Sequence, residues 1–309
     1  MRHSIFYSLL IIVLLRSIPS KAQQEGMFSQ YMYNPSAINT AYTGTRNETI
    51  LYLQYRSQWS SFDGAPTTSY FNYQSQGKKK LSTGISVMQE STGPMSQLSA
   101  GIDFAYRLQL GDKKYLSLGL KPMIDYLDVD FSGLNIYNPQ DPWFNVNIDN
   151  KLSPNLGLGL FYYDERGYIG VSTSGILATK HFDQSGPTSY LASDRAHYYL
   201  MAGKVLELNN AMLFKPSFLI RMVKGVPIAA DISANMRIDD RIEAGLSYRI
   251  SGAVSALAAF RISNNFLIGY SYDKETSYIS TFTGGSSELF IRYEFLPNAV
   301  KTIFKPRFF

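Results

Sequence analysis

Strict alternation of apolar and polar side chains between Leu98 and Tyr126 constrains the fold of this chain more than any other sequence feature. The even positions are Leu98, Ala100, Ile102, Phe104, Tyr106, Leu108 and Leu110, and the odd positions between them are polar or small. A period of two is typical of a β-strand with one apolar face. Gly111 and Asp112 interrupt the pattern, which resumes from Leu116 to Tyr126 and so predicts a hairpin. Each strand exceeds about ten residues, enough to cross a bilayer at a tilt.

Alternation recurs along the chain and predicts fourteen strands. They span 50–58, 66–75, 80–91, 95–110, 114–126, 155–163, 167–174, 197–207, 211–223, 228–237, 241–250, 253–262, 265–273 and 286–295. The even-numbered connections are short, whereas every long connection is odd-numbered, namely 59–65, 127–154, 175–196 and 274–285. Bacterial outer-membrane barrels have an even strand count, short periplasmic turns and longer outer loops. The sequence therefore predicts an all-β, transmembrane, antiparallel up-and-down β-barrel over residues 50–309, including a C-terminal tail, with both barrel termini periplasmic.

The first 22 residues have the pattern of a cleaved signal peptide. Arg2 and His3 precede an apolar run from Ile5 to Leu15, and Ser20-Lys21-Ala22 places small residues where a signal peptidase cuts. An uncleaved anchor is the alternative, but the run is short and Arg16 interrupts its end. No other segment approaches about 18 consecutive apolar residues, which excludes a helical membrane protein.

Most of the net positive charge of the chain lies in this predicted leader. Arg2, Arg16 and Lys21 leave with it, so the 29 basic residues become 26 against 24 acidic ones. A nearly neutral mature chain does not indicate nucleic-acid binding. Cysteine is absent, so the stability of the exported chain must come from its sheet rather than from disulfides.

Residues 23–49 form a separate N-terminal segment before the first predicted strand. Pro35 and several asparagines oppose a long strand, yet the stretch from Phe28 to Gly44 is too aromatic for a disordered tail. Each apolar side chain is worth about 1.5 to 3 kcal/mol on full burial, so the segment needs a barrel or a partner to cover it. We predict a plug-like segment packed at the periplasmic mouth, with a partly ordered linker as the alternative. Its predicted partner contacts are Phe28, Tyr31, Tyr33, Asn34, Pro35 and Tyr42.

Aromatic residues cluster near the ends of the predicted strands. They are Tyr52, Tyr55, Tyr70, Tyr73, Phe161, Tyr162, Tyr198, Tyr199, Tyr270, Tyr272, Tyr293 and Phe295. Such residues suit the membrane interface, because a ring can lie in hydrocarbon while its hydroxyl reaches water. Contact with outer-membrane lipid is therefore favoured over a soluble β-sandwich with an aromatic core.

Charged residues fall on the face opposite the apolar one in many strands. If the apolar faces contact lipid, the lumen receives Asp103, Arg107, Lys121, Asp125, Lys215, Arg221, Asp231, Arg237, Glu243, Arg249, Arg261, Glu288, Arg292 and Glu294. A Lys or Arg at the lipid midplane costs about 2 to 4 kcal/mol, which holds such residues inside. Two interpretations stay open: the charges neutralise one another in a closed lumen, or they line an aqueous route.

The sequence shows little catalytic or metal-binding chemistry. The mature chain has only two histidines, His181 and His197, so no metal or other cofactor is expected. A hydrolase with His197 as base is an alternative, but His197 lies beside two tyrosines at a predicted interfacial strand start. Strand glycines such as Gly119 and Gly159 are interpreted as easing curvature rather than cradling phosphate. We expect no enzymatic activity.

The longest predicted outer loop offers a second partner surface. Two prolines between Asn138 and Pro142 stiffen the loop immediately before Trp143 and Phe144. Large rings on a rigid loop can anchor a partner with little loss of entropy. The alternative is that Trp143 folds back over the barrel mouth as a lid.

Several short motifs follow one another over nearly the whole mature chain. They are Phe28-Ser29-Gln30-Tyr31-Met32-Tyr33-Asn34-Pro35, Ala41-Tyr42-Thr43-Gly44, Tyr55-Arg56-Ser57-Gln58-Trp59, Asp141-Pro142-Trp143-Phe144, Lys151-Leu152-Ser153-Pro154-Asn155, His197-Tyr198-Tyr199-Leu200-Met201-Ala202-Gly203, Leu213-Phe214-Lys215-Pro216-Ser217 and Pro306-Arg307-Phe308-Phe309. In this order they resemble the PorP/SprF family of type IX secretion system membrane proteins from Bacteroidetes.

The resemblance implies an outer-membrane barrel needed for gliding, or for export or surface attachment of cargo or adhesins with C-terminal sorting domains. It also implies partners, namely periplasmic ring lipoproteins, other type IX components and the sorting domain of the cargo. It carries over no catalytic residues. A passive or ligand-specific transport channel is the competing function.

Overall fold

Antiparallel strands account for most of the chain in the computed structural model, which describes residues 28–46, 48–75, 80–134, 147–177, 195–276, 278–281, 283–295 and 308. The strands are β1 (Thr49–Ser57), β2 (Thr67–Ser75), β3 (Leu81–Thr92), β4 (Met95–Gly111), β5 (Lys114–Val129), β6 (Ile148–Tyr163), β7 (Gly167–Ser174), β8 (His197–Lys204), β9 (Leu206–Asn209), β10 (Met212–Val223), β11 (Ala229–Ile238), β12 (Ile242–Arg249), β13 (Ala253–Ser263), β14 (Phe266–Glu275) and β15 (Ser286–Phe295). Short 3₁₀ helices span Pro35–Ala37, Thr40–Tyr42 and Tyr278–Thr281. None of the described helices is long and apolar enough to cross a membrane.

These strands form one closed barrel. Each pairs with its sequence neighbours, and β1 pairs with β15 from Thr49↔Phe295 to Ser57↔Ser287. Strands β8 and β9 both pair with β10, so they act as one strand interrupted at Val205. With β8 and β9 counted as one, the barrel has fourteen antiparallel strands, which confirms the predicted fold class.

The two faces of the wall follow the sequence alternation. On the outer face Ile85, Ile102, Ile124, Leu160 and Val171 each leave 49 to 51% of their surface exposed and form an apolar band suited to lipid. The inward positions are mostly polar or small. We call the rim with the connections after β4, β6 and β11 the short-turn end, and the opposite rim the long-loop end.

Some predicted interfacial aromatics lie inside the barrel instead. Tyr52, Tyr70 and Phe161 are buried and Tyr199 is half-buried, all at inward positions. The other eight aromatics of the predicted set occupy outward positions. The prediction was wrong for the inward four because a ring at a strand end gives the same local pattern whether lipid or an internal segment covers it.

Strand β6 begins seven residues earlier than predicted, at Ile148 rather than Asn155, and β5 continues to Val129. The polarity of the hairpin inverts there: Leu127, Val129 and Phe131 point inward and are buried, while Asp128 points outward. The prediction missed this extension because it assumed apolar side chains outside. Beyond Tyr126, toward the long-loop end, the apolar side chains turn toward the lumen and form a cluster with Ile148.

Candidate functional site: the plugged lumen

The N-terminal residues 28–46, here called the plug, run through the interior of the barrel. Asn39 organises the middle of the plug: its side-chain oxygen accepts from Ala41 N at 3.0 Å, which caps the 3₁₀ helix Thr40–Tyr42. Its side-chain nitrogen donates to the carbonyl oxygen of Leu160 at 3.0 Å. Thr40 Oγ1 donates to Asp103 Oδ1 at 2.8 Å. The plug therefore exchanges hydrogen bonds with both backbone and side chains of the wall.

Glycines on the wall make room for the middle of the plug, because a glycine has no side chain. A Cβ on Gly119 would lie 2.3 Å from Ala41 N, and one on Gly159 would lie 2.1 Å from Asn39 Oδ1. On β7, a Cβ on Gly170 would lie 2.8 Å from Asn39 Nδ2. These glycines form a bare patch over three neighbouring strands, and the Asn39 side chain and the Ala41 backbone of the plug occupy it.

A carboxylate on β15 holds the start of the plug. Glu288 accepts from the backbone N–H groups of Ser29 and Gln30, both at 3.0 Å. It also accepts from Gln54 Nε2 at 2.6 Å and Arg56 Nη1 at 3.0 Å. Charge-assisted bonds to two consecutive amides are stronger than neutral ones. The arrangement fastens the plug to β1 and β15 together.

A second carboxylate on β15 holds the end of the plug. Glu294 pairs with Arg46 of the plug at 3.1 Å, and with Arg261 at 3.2 Å and Arg292 at 2.9 Å from the wall. All four side chains are nearly excluded from solvent. Both ends of the plug are thus tied to the same strand.

Aromatic packing fills the space between these polar anchors. Tyr33 and Tyr52 contact Phe290 at centroid distances of 4.8 and 5.3 Å, and Tyr42 meets Phe161 edge-on at 5.5 Å. Burial raises the pKa of Tyr31 to about 12 and also raises the pKa of Tyr33. Both hydroxyls therefore stay protonated at neutral pH, and Tyr31 shares a 3.1 Å hydrogen bond with Ser233.

A cavity of about 910 Å³ lies between the plug and the long-loop end. Phe28, Ser36, Ile38 and Thr40 of the plug form its floor. Leu127 and Phe131 line one side, and charged groups line other parts of the wall. Within the described residues, the plug thus separates an outer chamber from the short-turn end.

The comparison with known families decides the family of this chain. The model of the family described as type IX secretion system membrane protein PorP/SprF matches residues 20–293. The chain belongs to this family. It is an outer-membrane barrel component of type IX secretion, and the recognition made from its motifs is confirmed.

Structural relatives share the barrel with this PorP/SprF member. The CymD monoaromatic hydrocarbon channel is 10% identical over 90% of this chain and 95% of its own, with a TM-score of 0.52. The Ralstonia pickettii toluene transporter TbuX is 11% identical over 90% of this chain and 96% of its own, with a TM-score of 0.50. At such identity these likenesses show the fold alone. Among curated proteins, none matches the sequence.

The structure places the predicted lumen charges of this PorP/SprF chain on the inner face. Asp231 pairs with Arg249 at 2.8 Å, and Lys121 lies 4.0 Å from Asp103. The Asp125 carboxylate accepts from Ser99 and Asn155, at 2.5 and 3.1 Å. Arg292 pairs with Glu294 as described above, and Arg107 lies over the Tyr115 ring at 5.4 Å from its centroid. These pairings favour mutual neutralisation over an aqueous route in the part of the lumen they occupy.

The predicted partner contacts of the plug are turned toward the barrel. Tyr31, Tyr33, Asn34, Pro35 and Tyr42 are buried by the wall and by the plug itself. Phe28 is half-buried, and it contacts Tyr70 at 5.7 Å and borders the outer chamber. Trp143 and Phe144 lie outside the described residues. Partner binding by all of these residues stays a prediction.

Other residues of the PorP/SprF lumen escaped the sequence reasoning. The role of Asn39 and the bare patch of glycines depend on where the plug lies, which no local pattern encodes. His197 is buried in the outer chamber with Nδ1 3.3 Å from the Tyr199 hydroxyl, rather than at an interface. In the described part of the chain, no group of three or more His, Cys, Asp or Glu side chains is placed to hold a metal ion.

Proposed function

We propose that this barrel supports the export or surface attachment of cargo or gliding adhesins with C-terminal sorting domains. The observation that carries the proposal is a lumen filled by the plug in a member of a type IX secretion family. A filled lumen favours a component that works through partners over a freely open pore. Glu288 and Glu294 make the plug a seated element with two defined attachment points.

Partners are assigned by the side of the membrane that each end of the barrel faces. We propose that both barrel termini and the short-turn end are periplasmic, because bacterial barrels keep their short turns there. Periplasmic ring lipoproteins would then meet the end at which the plug joins β1. Tyr31 and Tyr33 would reach such a partner only when the plug is displaced, since both are buried in the seated state. Trp143 and Phe144 are the proposed contacts for cargo on the other side.

The test is a deletion of residues 28–44 in the native host, with a leader retained. Surface and medium proteins are compared among the wild type, the gene deletion and this variant by quantitative mass spectrometry. We expect the plug deletion to keep a heat-resistant barrel in the outer membrane and to lose the same sorting-domain proteins as the gene deletion. Normal secretion by this variant would overturn the role of the plug. Normal secretion by the gene deletion would overturn the function itself.

A transport channel is the second candidate, favoured by the outer chamber of about 910 Å³ above the plug. Its volume is within the range of small-molecule sites. Planar-bilayer recordings separate the two functions, because a channel should conduct without partners when the plug is seated. A secretion component should conduct only after the plug is removed.

A further inference from the structure

A residue from the segment beyond the last strand lies inside the lumen. Of the residues after Phe295, the structure describes Phe308, which is buried and packs in the same cluster as Tyr31, Met32 and Tyr33 of the plug. Twelve residues separate Phe308 from the end of β15, and when extended they can span about 40 Å. The segment is long enough to leave the rim and re-enter the barrel.

Two cationic side chains of the wall hold the Phe308 ring. Lys215 Nζ lies 4.5 Å from the ring centroid, and Arg237 Cζ lies 4.3 Å from it. Arg237 is paired with Glu243 at 2.8 Å, so its charge is balanced while its flat face remains available to the ring. Cation–π contacts gain strength when they are removed from water. A buried aromatic ring can therefore be held by both cations.

The backbone is recognised as well as the ring. Lys215 Nζ donates to the carbonyl oxygen of Phe308 at 2.7 Å and to that of Met32 at 3.3 Å. Its ammonium also lies 5.8 Å from the centroid of the Tyr33 ring. One fully buried lysine therefore joins the tail residue to the plug, and neither strand pairing nor the sheet register requires this connection.

The site lies close to the short-turn end. Lys215 is the fourth residue of β10, and Arg237 is the last but one of β11. The start of β10 and the end of β11 pair with each other at that rim, from Met212↔Ile238 onward. The site is therefore nearer to this rim than to the outer chamber, whose lining does not include Lys215 or Arg237.

We propose that Lys215, Arg237 and Tyr33 form a docking site for a phenylalanine-bearing peptide segment, occupied here by the chain's own tail, whose presence fixes the Met32-Tyr33 part of the plug. The site recognises one aromatic ring and the carbonyl of the same residue. The proposal does not rest on the secretion function, because every contact lies within this chain.

The first experiment measures binding in trans. A barrel lacking residues 296–309 is titrated with a fluorescent peptide of residues 304–309, and with Phe308→Ala and Phe309→Ala peptides. We expect saturable binding that weakens at least tenfold for the Phe308→Ala peptide and less than threefold for the Phe309→Ala peptide. Lys215→Met in the barrel should weaken binding at least tenfold, whereas Lys121→Met, which removes a lumen lysine elsewhere, should not. Equal binding of the Phe308→Ala peptide, or no binding of the parent peptide, would overturn the proposal.

A second experiment keeps the chain whole, in case the truncated barrel does not fold. Hydrogen exchange at the Tyr33 amide, which donates to Gln30 O at 3.0 Å, is compared between full-length Phe308→Ala and Phe309→Ala proteins. We expect at least tenfold faster exchange in the Phe308→Ala protein alone. Equal exchange in both variants would show that the tail does not fix the plug.

Discussion

At the scale of single residues, Glu288 decides whether the start of the plug stays seated. Its two oxygens accept hydrogen bonds from two plug amides and two wall side chains, so this carboxylate connects the plug to the wall rather than forming a single ion pair. Sequence alternation was enough to place Glu288 in the lumen. Its role in binding the plug depends on contacts over more than 250 positions in the chain, which no local pattern records.

We predict that Glu288→Gln releases the start of the plug while the strands of the barrel wall stay paired. Loss of the charge leaves Arg56 with Asp273 and weakens the bonds from Ser29 and Gln30, each worth about 1.5 to 3 kcal/mol as charge-assisted bonds. Hydrogen exchange at these two amides should accelerate at least tenfold, and single-channel conductance should rise. Asp125→Asn is the matched control, because its hydrogen bonds from Ser99 and Asn155 come from the wall. Unchanged exchange in the Glu288 variant would contradict this role.

The bare patch of glycines gives a second prediction at the residue scale. Gly119→Ala places a methyl 2.3 Å from Ala41 N, and the plug backbone must move because no flexible side chain can yield there. We expect more frequent channel openings and faster protease cleavage within the plug. Gly157→Ala, on the inner face of the neighbouring strand β6, is the control, because the nearest atom to its methyl would be 3.3 Å away. Identical behaviour of the two variants would contradict the close approach of the plug.

At the scale of elements, alternation predicted the strands well wherever one face meets lipid. It found β15 and β7 at their observed bounds but missed the first seven residues of β6, because the rule that apolar side chains face outward ends where the lipid ends. The inversion after Tyr126 marks that limit on β5: Ile124 faces outward below it, and Asp128 faces outward above it.

This inversion predicts the depth of β5 in the bilayer. A nitroxide at position 124 should be more accessible to oxygen than to a water-soluble nickel reagent, and one at position 128 should show the reverse. Ile124→Arg should destabilise the barrel by about 2 to 4 kcal/mol if the site is near the midplane, whereas Asp128→Arg should have little effect. If the nitroxides at both positions were more accessible to oxygen than to the nickel reagent, the membrane boundary would lie closer to the long-loop end. The inversion would then be unexplained.

At the scale of the whole molecule, the orientation follows from loop length. We expect a membrane-impermeant maleimide to label a cysteine at Gln140 in intact cells and to leave one at Asp112 unlabelled until the outer membrane is permeabilised. Asp112 lies in the turn between β4 and β5 at the short-turn end. The opposite labelling pattern would invert the proposed topology and move the plug entrance to the cell surface.

The attachment of the plug also has a consequence for the order of folding. Arg56 belongs to the first strand and Glu288 to the last. Ser29 binds both across the seam at which the barrel closes, because its amide donates to Glu288 and its hydroxyl accepts from Arg56 Nη1 at 3.2 Å. A chain that has formed all other strand pairs still has to join these two, and a segment that binds both brings them together. We expect a chain lacking residues 28–44 to refold in detergent several-fold more slowly, as timed by the gel shift of the closed form. The segment that fills the folded barrel would then also guide the pairing of β15 with β1 into register.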